Sequence, residues 1–222
     1  MPKEWSGLKS LPVATQAAFQ QLLARLRAKG RDSLTILFLG KTGAGKSSTI
    51  NSLLGEKGTA TVGALTANAT DSVTAFTRTA AGFSLTLIDT PGLLEKDSIS
   101  EGNLQRIKAD LEASGRSVDA VFLFERMDVY RVEPIDHQVF RAVTDHFGRD
   151  IWKRTVLCLS RAGIYSPPDG LSYDDFVSKR VDAVQAAIRS AGCPCSPLPV
   201  ALVENLRSRE GEDGQLCLPN GR

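Results

Sequence analysis

Apolar runs of strand length recur through the chain, and they are continuous rather than alternating. The runs are SLTILFLG (Ser33 to Gly40), SLTLIDT (Ser84 to Thr90), DAVFLFE (Asp119 to Glu125), RTVLCLS (Arg154 to Ser160) and PVALVEN (Pro199 to Asn205). A strand that is apolar at consecutive positions is buried on both faces, which is typical of a parallel sheet covered by helices. The more polar segment from Asp71 to Thr79 is β-branched and predicts an edge strand.

Stretches with helical character separate these runs. They are Gly45 to Leu54, Glu101 to Ala113, Pro134 to Phe147 and Tyr173 to Ala191. The alternation predicts a doubly wound α/β fold, with a mostly parallel sheet and helices on both faces. Ahead of the first strand, the segment from Pro12 to Lys29 places Phe19, Leu22, Leu23 and Leu26 at helical spacing. We therefore expect a helical extension over residues 1–30 and an α/β domain over residues 31–222, packed as one globular unit.

Composition excludes several classes of protein. Of the 222 residues 42% are hydrophobic and 23% are charged, which is ordinary for a globular domain and excludes disordered and fibrous classes. The net charge is only +2 and no run of five like charges occurs, so nothing predicts a nucleic-acid partner. The sequence also contains no apolar stretch of about 18 residues that predicts a membrane span.

The first long strand runs directly into a phosphate-binding pattern. Residues 40–47 read GKTGAGKS and fit G-x-x-x-x-G-K-[ST], with a buried strand before them and a helix after them. The predicted nucleotide-binding residues of this loop are Gly43, Ala44, Gly45, Lys46, Ser47 and Ser48. Converging backbone N–H groups and a helix N-terminus attract phosphate oxygens, and Lys46 adds a positive charge from an exposed loop. The hydroxyl of Ser47 is expected to bind Mg²⁺. The alternative is a glycine-rich turn that binds no ligand.

A second motif follows the next long apolar strand. Asp89-Thr90-Pro91-Gly92 stands where the doubly wound fold brings a strand end beside the phosphate loop. Asp89 is expected to reach Mg²⁺ directly or through water, and the Gly92 amide is available to a γ-phosphate. The connection from Val62 to Thr74 is typical of a switch segment, in which Thr70 is a candidate metal or γ-phosphate ligand.

The base is less clearly specified than the phosphates. The usual guanine-reading pattern N-K-x-D is absent after the fourth of the long apolar runs, where residues 159–162 read LSRA. At the end of the last strand, the Glu204 carboxylate could accept hydrogen bonds from guanine N1–H and the exocyclic amino group. The lone pair at adenine N1 would repel that carboxylate. A solvated glutamate at a strand end is the alternative, so these residues favour guanine without deciding it.

From Trp5 to Arg222 the chain resembles the small receptor GTPases of the protein-import translocon at the chloroplast outer envelope. The stretches that carry the resemblance are EWSGLKSLPVATQ, GKTGAGKSSTINSLLGE, AGFSLTLIDTPGL, RMDVYRVEPID, DHFGRDIW, SPPDGLSYDDFVSKR and LPNG. It implies GTP or GDP with Mg²⁺, recognition of transit peptides on preproteins, an import channel as neighbour, and pairing with a second copy or with the larger receptor. It also implies the cytosolic face of the outer envelope, with a membrane-spanning tail beyond Arg222.

The resemblance also implies roles for individual residues. Arg131 would be directed at the partner's nucleotide, and Glu204 and Asn205 match the family's base-binding pair. Arg161 stands where family members usually carry a histidine near the guanine, and its guanidinium plane can stack in the same way. Lys46 and Arg131 are therefore the catalytic candidates, although Arg131 could be a dimer contact alone.

Two other functions compete with a regulatory GTPase. A small-molecule kinase would need an acceptor site and commonly has an arginine-rich lid, whereas the arginines here are scattered. A nucleotide-binding structural module without turnover is the stronger competitor, because Leu93 and Leu94 follow Gly92 where many GTPases use a glutamine to orient water. We therefore expect slow hydrolysis.

Overall fold

A seven-stranded sheet forms the centre of the molecule. The computed structural model describes residues 3–56, 58–60, 72–95, 98–163, 167–193, 197–205, 209–210 and 216–217. The strands are β1 (Lys3–Glu4), β2 (Ser33–Gly40), β3 (Thr74–Ala80), β4 (Phe83–Asp89), β5 (Leu94–Glu95), β6 (Ser98–Ile99), β7 (Ala120–Arg126), β8 (Thr155–Ser160), β9 (Val200–Val203), β10 (Arg209–Glu210) and β11 (Leu216–Cys217). The helices are α1 (Val13–Ala28), α2 (Lys46–Leu54), α3 (Glu101–Ser114), α4 (Pro134–Phe147) and α5 (Tyr173–Ser190).

The strand order in the main sheet is β1-β3-β4-β2-β7-β8-β9. Only β3 and β4 pair antiparallel; every other pair in this sheet is parallel. The chain builds one side of β2 first and the other side afterwards, so β2 lies at the point where the winding reverses. In doubly wound sheets the crevice at the carboxyl end of such a strand is where ligands bind. The predicted doubly wound, mostly parallel fold is confirmed.

Two hydrophobic layers cover the sheet, one on each face. On one face α3, α4 and α5 pack over residues such as Leu37 and Leu39 of β2. On the other face α2 and the N-terminal segment pack over residues such as Ile36 and Phe38. Because neighbouring residues of β2 serve opposite layers, the whole carboxyl half of this strand is buried, as its continuous apolar sequence predicts.

Local signals set the ends of the helices. Ser100 caps α3 by accepting a hydrogen bond from the Asn103 amide, and Ser172 does the same for α5 with the Asp175 amide. Helix α4 begins with Glu133 and Pro134, and Glu133 forms a capping box with Asp136. No helix in the described ranges is both long enough and apolar enough to cross a membrane.

The N-terminal segment docks on the end of α2. Trp5 is 5% exposed, and its indole Nε1 donates to the Leu54 carbonyl at 3.0 Å. Its ring meets Phe19 of α1 edge-on, with centroids 4.7 Å apart. A side chain at Gly7 would overlap the Leu54 carbonyl, since a Cβ there would lie 1.8 Å from that oxygen. Close backbone approach therefore explains the glycine at this position.

The structure corrects two details predicted from the sequence. The strand expected at the sheet edge, β3, is second from the edge, because the short strand β1 pairs with it on the outside. Leu22, expected on the buried face of α1, is 42% exposed, whereas Leu23 is buried. Asp71 lies outside the described residues. A two-residue strand has too few residues for a periodic pattern, which is why β1 escaped detection.

An ion cluster joins α2 to the edge of the sheet. Glu56, just after α2, accepts hydrogen bonds from Arg78 of β3 at 2.9 and 2.6 Å and from Lys3 of β1 at 3.2 Å. The side chains of Glu56 and Arg78 are 14% and 8% exposed. Hydrogen bonds from Arg78 lower the pKa of Glu56 to about 2, despite an opposing effect of burial.

This cluster should stabilise the fold at neutral pH. We expect Glu56→Gln to lower the free energy of unfolding by about 1–3 kcal/mol at pH 7, because the amide leaves the Arg78 charge unpaired. The wild-type advantage is complete above the ordinary carboxyl pKa and is lost as the pH falls from about 4.5 towards 2. Urea unfolding of both proteins from pH 7 to pH 3 measures this. The control is Asp150→Asn, which breaks the exposed Asp150–Lys153 pair and should leave stability unchanged.

Candidate functional site

The phosphate loop lies at the carboxyl end of β2, where the winding of the sheet reverses. Gly40 closes the strand against β7, and a Cβ on it would lie 2.7 Å from the Phe124 carbonyl oxygen. Gly45, immediately before α2, has a φ of 98°, which an L side chain rarely adopts. These two glycines explain why the loop can turn tightly between a buried strand and a helix. Gly43 lies at the exposed crest of the loop, and Ala44 packs beneath it.

Lys46 is folded back into the loop. Its side-chain ammonium donates to the carbonyls of Gly40 and Lys41 at 3.1 and 3.2 Å, and the residue is only 6% exposed. Burial lowers the pKa of Lys46 to about 8, and the nearby Asp89 carboxylate only partly opposes this effect. The phosphate loop is exposed at Thr42 and Gly43, as expected, but the Lys46 side chain itself is buried, which the sequence did not predict. The ammonium lies at the centre of the loop. An anion bound there can compete with the two carbonyls for its hydrogen bonds.

Asp89 and Ser47 meet beside this loop. The Ser47 hydroxyl donates to Asp89 Oδ2 at 2.6 Å, and Asp89 Oδ1 accepts from the Thr90 amide at 3.1 Å. Asp89 is 1% exposed, and the Thr90 hydroxyl donates to the Phe38 carbonyl, which holds the end of β4 against β2. One hydroxyl oxygen and one carboxylate oxygen are thus adjacent at the phosphate loop. Hard oxygen ligands of this kind fit Mg²⁺, which commonly takes its remaining ligands from phosphate and water.

Gly92 packs directly against the phosphate loop. A Cβ at this position would lie 2.0 Å from the Thr42 hydroxyl and 2.7 Å from the Thr42 amide nitrogen. The Leu93 amide donates to the Gly40 carbonyl at 3.2 Å, and Asn103 of α3 donates to the Gly92 carbonyl at 2.8 Å. The predicted proximity of the two motifs is therefore present. Thr70 and most of the switch connection lie outside the described residues.

On the base side, Arg161 and Glu204 follow β8 and β9. Arg161 adopts a left-handed backbone conformation with a φ of 55°, and its exposed guanidinium donates to Asp128 at 2.8 Å. Glu204 accepts a hydrogen bond from the Gly163 amide at 2.8 Å, so its carboxylate holds the loop that carries Arg161. The ends of β8 and β9 are therefore tied together by the Glu204 side chain.

Asn205 contacts the phosphate helix. Its amide nitrogen donates to the Thr49 hydroxyl at 3.0 Å, and its amide oxygen accepts from the Ser52 hydroxyl at 3.1 Å. Ser48 lies in the same first turns of α2. The side chain predicted to bind the base thus links the end of β9 to α2.

Arg131 lies on the segment between β7 and α4. It is exposed, and within the described parts of the chain no hydrogen bond or ion pair engages its side chain. Tyr130 beside it packs edge-on against Phe176, with ring centroids 5.5 Å apart. Arg126 differs, because its Nε and Nη2 donate to the two Asp128 carboxylate oxygens at 2.8 and 2.7 Å. The hydrogen bonds from Arg126 lower the pKa of Asp128, and Arg161 contributes further. Of Arg126 and Arg131, only Arg126 is paired with another side chain in the part of the chain that the structure describes.

The sequence did not predict a cluster of charged side chains packed against the phosphate loop. Its members are Lys41, Glu125, Asp136 and Arg180. Lys41 contacts Asp136 and lies 3.4 Å from Glu125, while Arg180 of α5 lies 3.7 Å from Glu125 on another side. Glu125, Asp136 and Arg180 are at most 2% exposed. Burial raises the pKa of Glu125, and the two cations partly offset that effect. The one available signal was Glu125 itself, a carboxylate at the end of an apolar strand.

Comparison with known proteins agrees with this geometry. The AIG1 family model matches residues 34–193. Translocase of chloroplast 34 from Pisum sativum is 39% identical over 225 residues, which are 99% of this chain and 71% of that protein. Its homolog from Chlamydomonas reinhardtii is 41% identical over 230 residues, covering 98% of this chain and 57% of that protein.

Solved structures of Toc33 from Arabidopsis thaliana have the same fold. A dimerisation-deficient mutant superposes with a TM-score of 0.91 at 37% identity, covering 99% of this chain and 91% of that chain. The Toc33 complex with GDP and Mg²⁺ has a TM-score of 0.87 at 37% identity, covering 99% and 90%. The family match spans most of the chain, and the relatives match it almost from end to end. The chain therefore belongs to the AIG1 family, in its group of chloroplast-translocase GTPases.

Proposed function

We propose that this protein is a GTP-binding receptor of chloroplast protein import, which hydrolyses GTP slowly and dimerises in a nucleotide-dependent way. The observation that carries the proposal is the meeting of Lys46, Ser47 and Asp89 at the reversal point of the sheet. A buried ammonium lies beside a hydroxyl–carboxylate pair 2.6 Å apart, so one pocket edge offers both a phosphate contact and a Mg²⁺ site. Toc33 has been solved with GDP and Mg²⁺, and also with GMPPNP and Mg²⁺.

Each loop residue has a role in this proposal. The amides of Gly43, Ala44 and Gly45 and of Lys46 to Ser48 surround the phosphates, and the Lys46 ammonium contacts the β and γ groups. Ser47 and Asp89 would hold Mg²⁺, with Thr70 as the candidate further ligand. The Gly92 amide would be available to a γ-phosphate. Bound there, Mg²⁺ would supply neutralisation of the phosphates' negative charge, and the chain's own part is to bind and orient the phosphates.

We expect slow turnover because two leucines, Leu93 and Leu94, follow Gly92. Leu93 is 1% exposed and belongs to the hydrophobic core, and the carbonyl of Leu94 accepts a hydrogen bond from Thr42 at 3.1 Å. An aliphatic side chain cannot orient an attacking water. The same observation favours the second candidate, a nucleotide-binding module without significant turnover. Turnover measured in single-turnover mode with GTP, first dilute and then at high protein concentration, separates the two candidates.

The biological role rests on the relatives. Pisum sativum and Arabidopsis relatives that cover the chain almost completely are chloroplast translocases. Dimerisation is important for the GTPase activity of the chloroplast translocon components Toc33 and Toc159, for which a solved structure also matches this chain. We infer the cytosolic face of the outer envelope as the location, transit peptides and an import channel as partners, and a second copy or the larger receptor as the dimerisation partner. Binding of a fluorescent transit peptide to the GTP-loaded and GDP-loaded protein tests this role.

The buried state of Lys46 predicts proton uptake on nucleotide binding. Near pH 8 about half of the Lys46 side chains are neutral, and a bound triphosphate should restore the charge and raise the pKa. We expect uptake of about half a proton per GTP at pH 8 and about a tenth at pH 7. Calorimetry in buffers of different ionisation heat measures this number. Equal proton uptake at both pH values contradicts the lowered pKa of Lys46, and unchanged GTP affinity in Lys46→Ala contradicts the phosphate contact.

Base selection by Glu204 predicts a difference between GTP and ATP. Glu204→Gln should weaken GTP about tenfold or more and change ATP little, because a carboxamide cannot accept from both guanine donors. Its remaining oxygen can still accept from the Gly163 amide, so the loop should keep its place. Competition binding against a fluorescent nucleotide provides both affinities. Lys46→Ala serves as the matched control that should lose both nucleotides, and equal loss of both in Glu204→Gln would exclude base reading.

The exposed state of Arg131 predicts a role in self-association. Arg131→Ala should weaken dimerisation about tenfold or more, while GTP affinity of the monomer stays nearly unchanged, because the side chain serves a neighbouring subunit's phosphates. Sedimentation velocity over a concentration series measures the dimer. Arg25→Ala, which removes one exposed arginine from α1, is the control. If turnover per subunit rises steeply with dimer fraction in wild type only, Arg131 is also catalytic.

A further inference from the structure

The charges below the phosphate loop form one connected set. Lys41 is part of the loop, Glu125 ends β7, Asp136 lies in the first turn of α4, and Arg180 comes from α5. Lys41 binds both carboxylates, and Arg180 reaches Glu125 and also donates to the Arg126 carbonyl at 3.3 Å. Burying such groups costs free energy unless they pair with each other. The pairing therefore restrains the elements that carry them.

Asp136 serves two parts of the site with its two oxygens. Oδ1 accepts from the Lys41 ammonium of the phosphate loop, and Oδ2 accepts from the Glu133 amide at 2.8 Å. In return, the Glu133 side chain accepts from the Asp136 amide and completes the capping box. A single carboxylate, 2% exposed, thus fixes the phosphate loop to the end of the segment 127–133.

The segment 127–133 is restrained at both ends. At its start the Met127 amide donates to the Ser160 carbonyl at 2.9 Å, and Arg180 holds the preceding carbonyl. At its end the Glu133 amide is bound to Asp136. Arg131 lies between these two points and is exposed. The contacts of the two ends therefore help to set the position of the backbone that carries Arg131.

A continuous set of contacts joins the ligand-facing ammonium to this segment. Lys46 donates to the backbone carbonyl of Lys41 at 3.2 Å, and the side chain of Lys41 binds Asp136. A phosphate that binds the Lys46 ammonium competes with the Gly40 and Lys41 carbonyls for its three N–H donors. Loss of the bond to the Lys41 carbonyl would release Lys41 on the backbone side, while its side chain stays bound to Asp136.

We propose that Asp136 is a positioning residue that transmits the state of the phosphate loop to the segment carrying Arg131. This inference rests on the proposed function, because it requires a nucleotide at the loop. Asp136 contacts neither phosphate nor metal in it. The residue acts by setting the position from which Arg131 approaches a second subunit.

Hydrogen exchange of the 127–133 amides tests the proposal directly. In wild type, GMPPNP with Mg²⁺ should change the exchange rate of this segment by at least about threefold, as expected when a local contact is made or released. Asp136→Asn should abolish that change while retaining GMPPNP affinity, because asparagine still accepts from the Glu133 amide but does not pair with the Lys41 charge. Lys41→Met, measured at saturating nucleotide, should abolish it from the other side of the same contact.

Glu133→Ala is the matched control. It removes the other half of the capping box and leaves the Lys41–Asp136 contact in place. It should therefore raise exchange in both states and keep the response to nucleotide, a result that a merely structural role for Asp136 does not predict.

The outcomes separate the inference from the function beneath it. Failure of wild type to bind GMPPNP in calorimetry refutes the proposed function. Binding without a response of the 127–133 amides refutes the inference alone. A wild-type response in Asp136→Asn, or in Lys41→Met if the first variant does not fold, also refutes it.

Discussion

Burial of β2 on both faces is the constraint on which the rest of the molecule depends. A strand with apolar side chains at consecutive positions needs a hydrophobic layer on each side, and α3 to α5 and α2 provide those two layers. Polar groups can then face ligand only at the strand ends. The phosphate loop, the end of β4 and the ends of β7, β8 and β9 meet there because the strands run parallel.

The same burial places strong charges under a loop that has to accept an anion. Lys41 lies 3.4 Å from Glu125, and both carboxylates near it are almost fully covered. Removing one member of such a group costs about 3–5 kcal/mol, since the remaining charge is left without its partner. The hydrogen-bonding capacity of Arg180 is only partly used: within the described structure, its buried Nε and Nη1 have no hydrogen-bond partner. The loop is therefore held by charge pairs at Lys41 in addition to the apolar packing of Ala44.

The sequence allowed most of the fold to be predicted and only part of the site. Continuous apolar runs and helical stretches predicted the sheet and its layers, because periodicity reports burial directly. The sequence did not predict β1. Its two residues pair with β3, next to the point where Trp5 and Gly7 dock the N-terminal segment on α2. At the site, the adjacency of Ser47 and Asp89 followed from the fold, whereas the contacts of Asn205 with α2 did not.

The sequence by itself determined the doubly wound architecture, the phosphate loop and its family, since these depend on residue types at fixed spacing along the chain. Only the tertiary structure decided that Lys46 is buried, that Arg161 pairs with Asp128 and that Arg131 is left exposed. It alone also joined Lys41 to Asp136, which are 95 residues apart in the chain. The physical reason is that desolvation and charge pairing depend on distances between distant segments, and no local pattern records such distances.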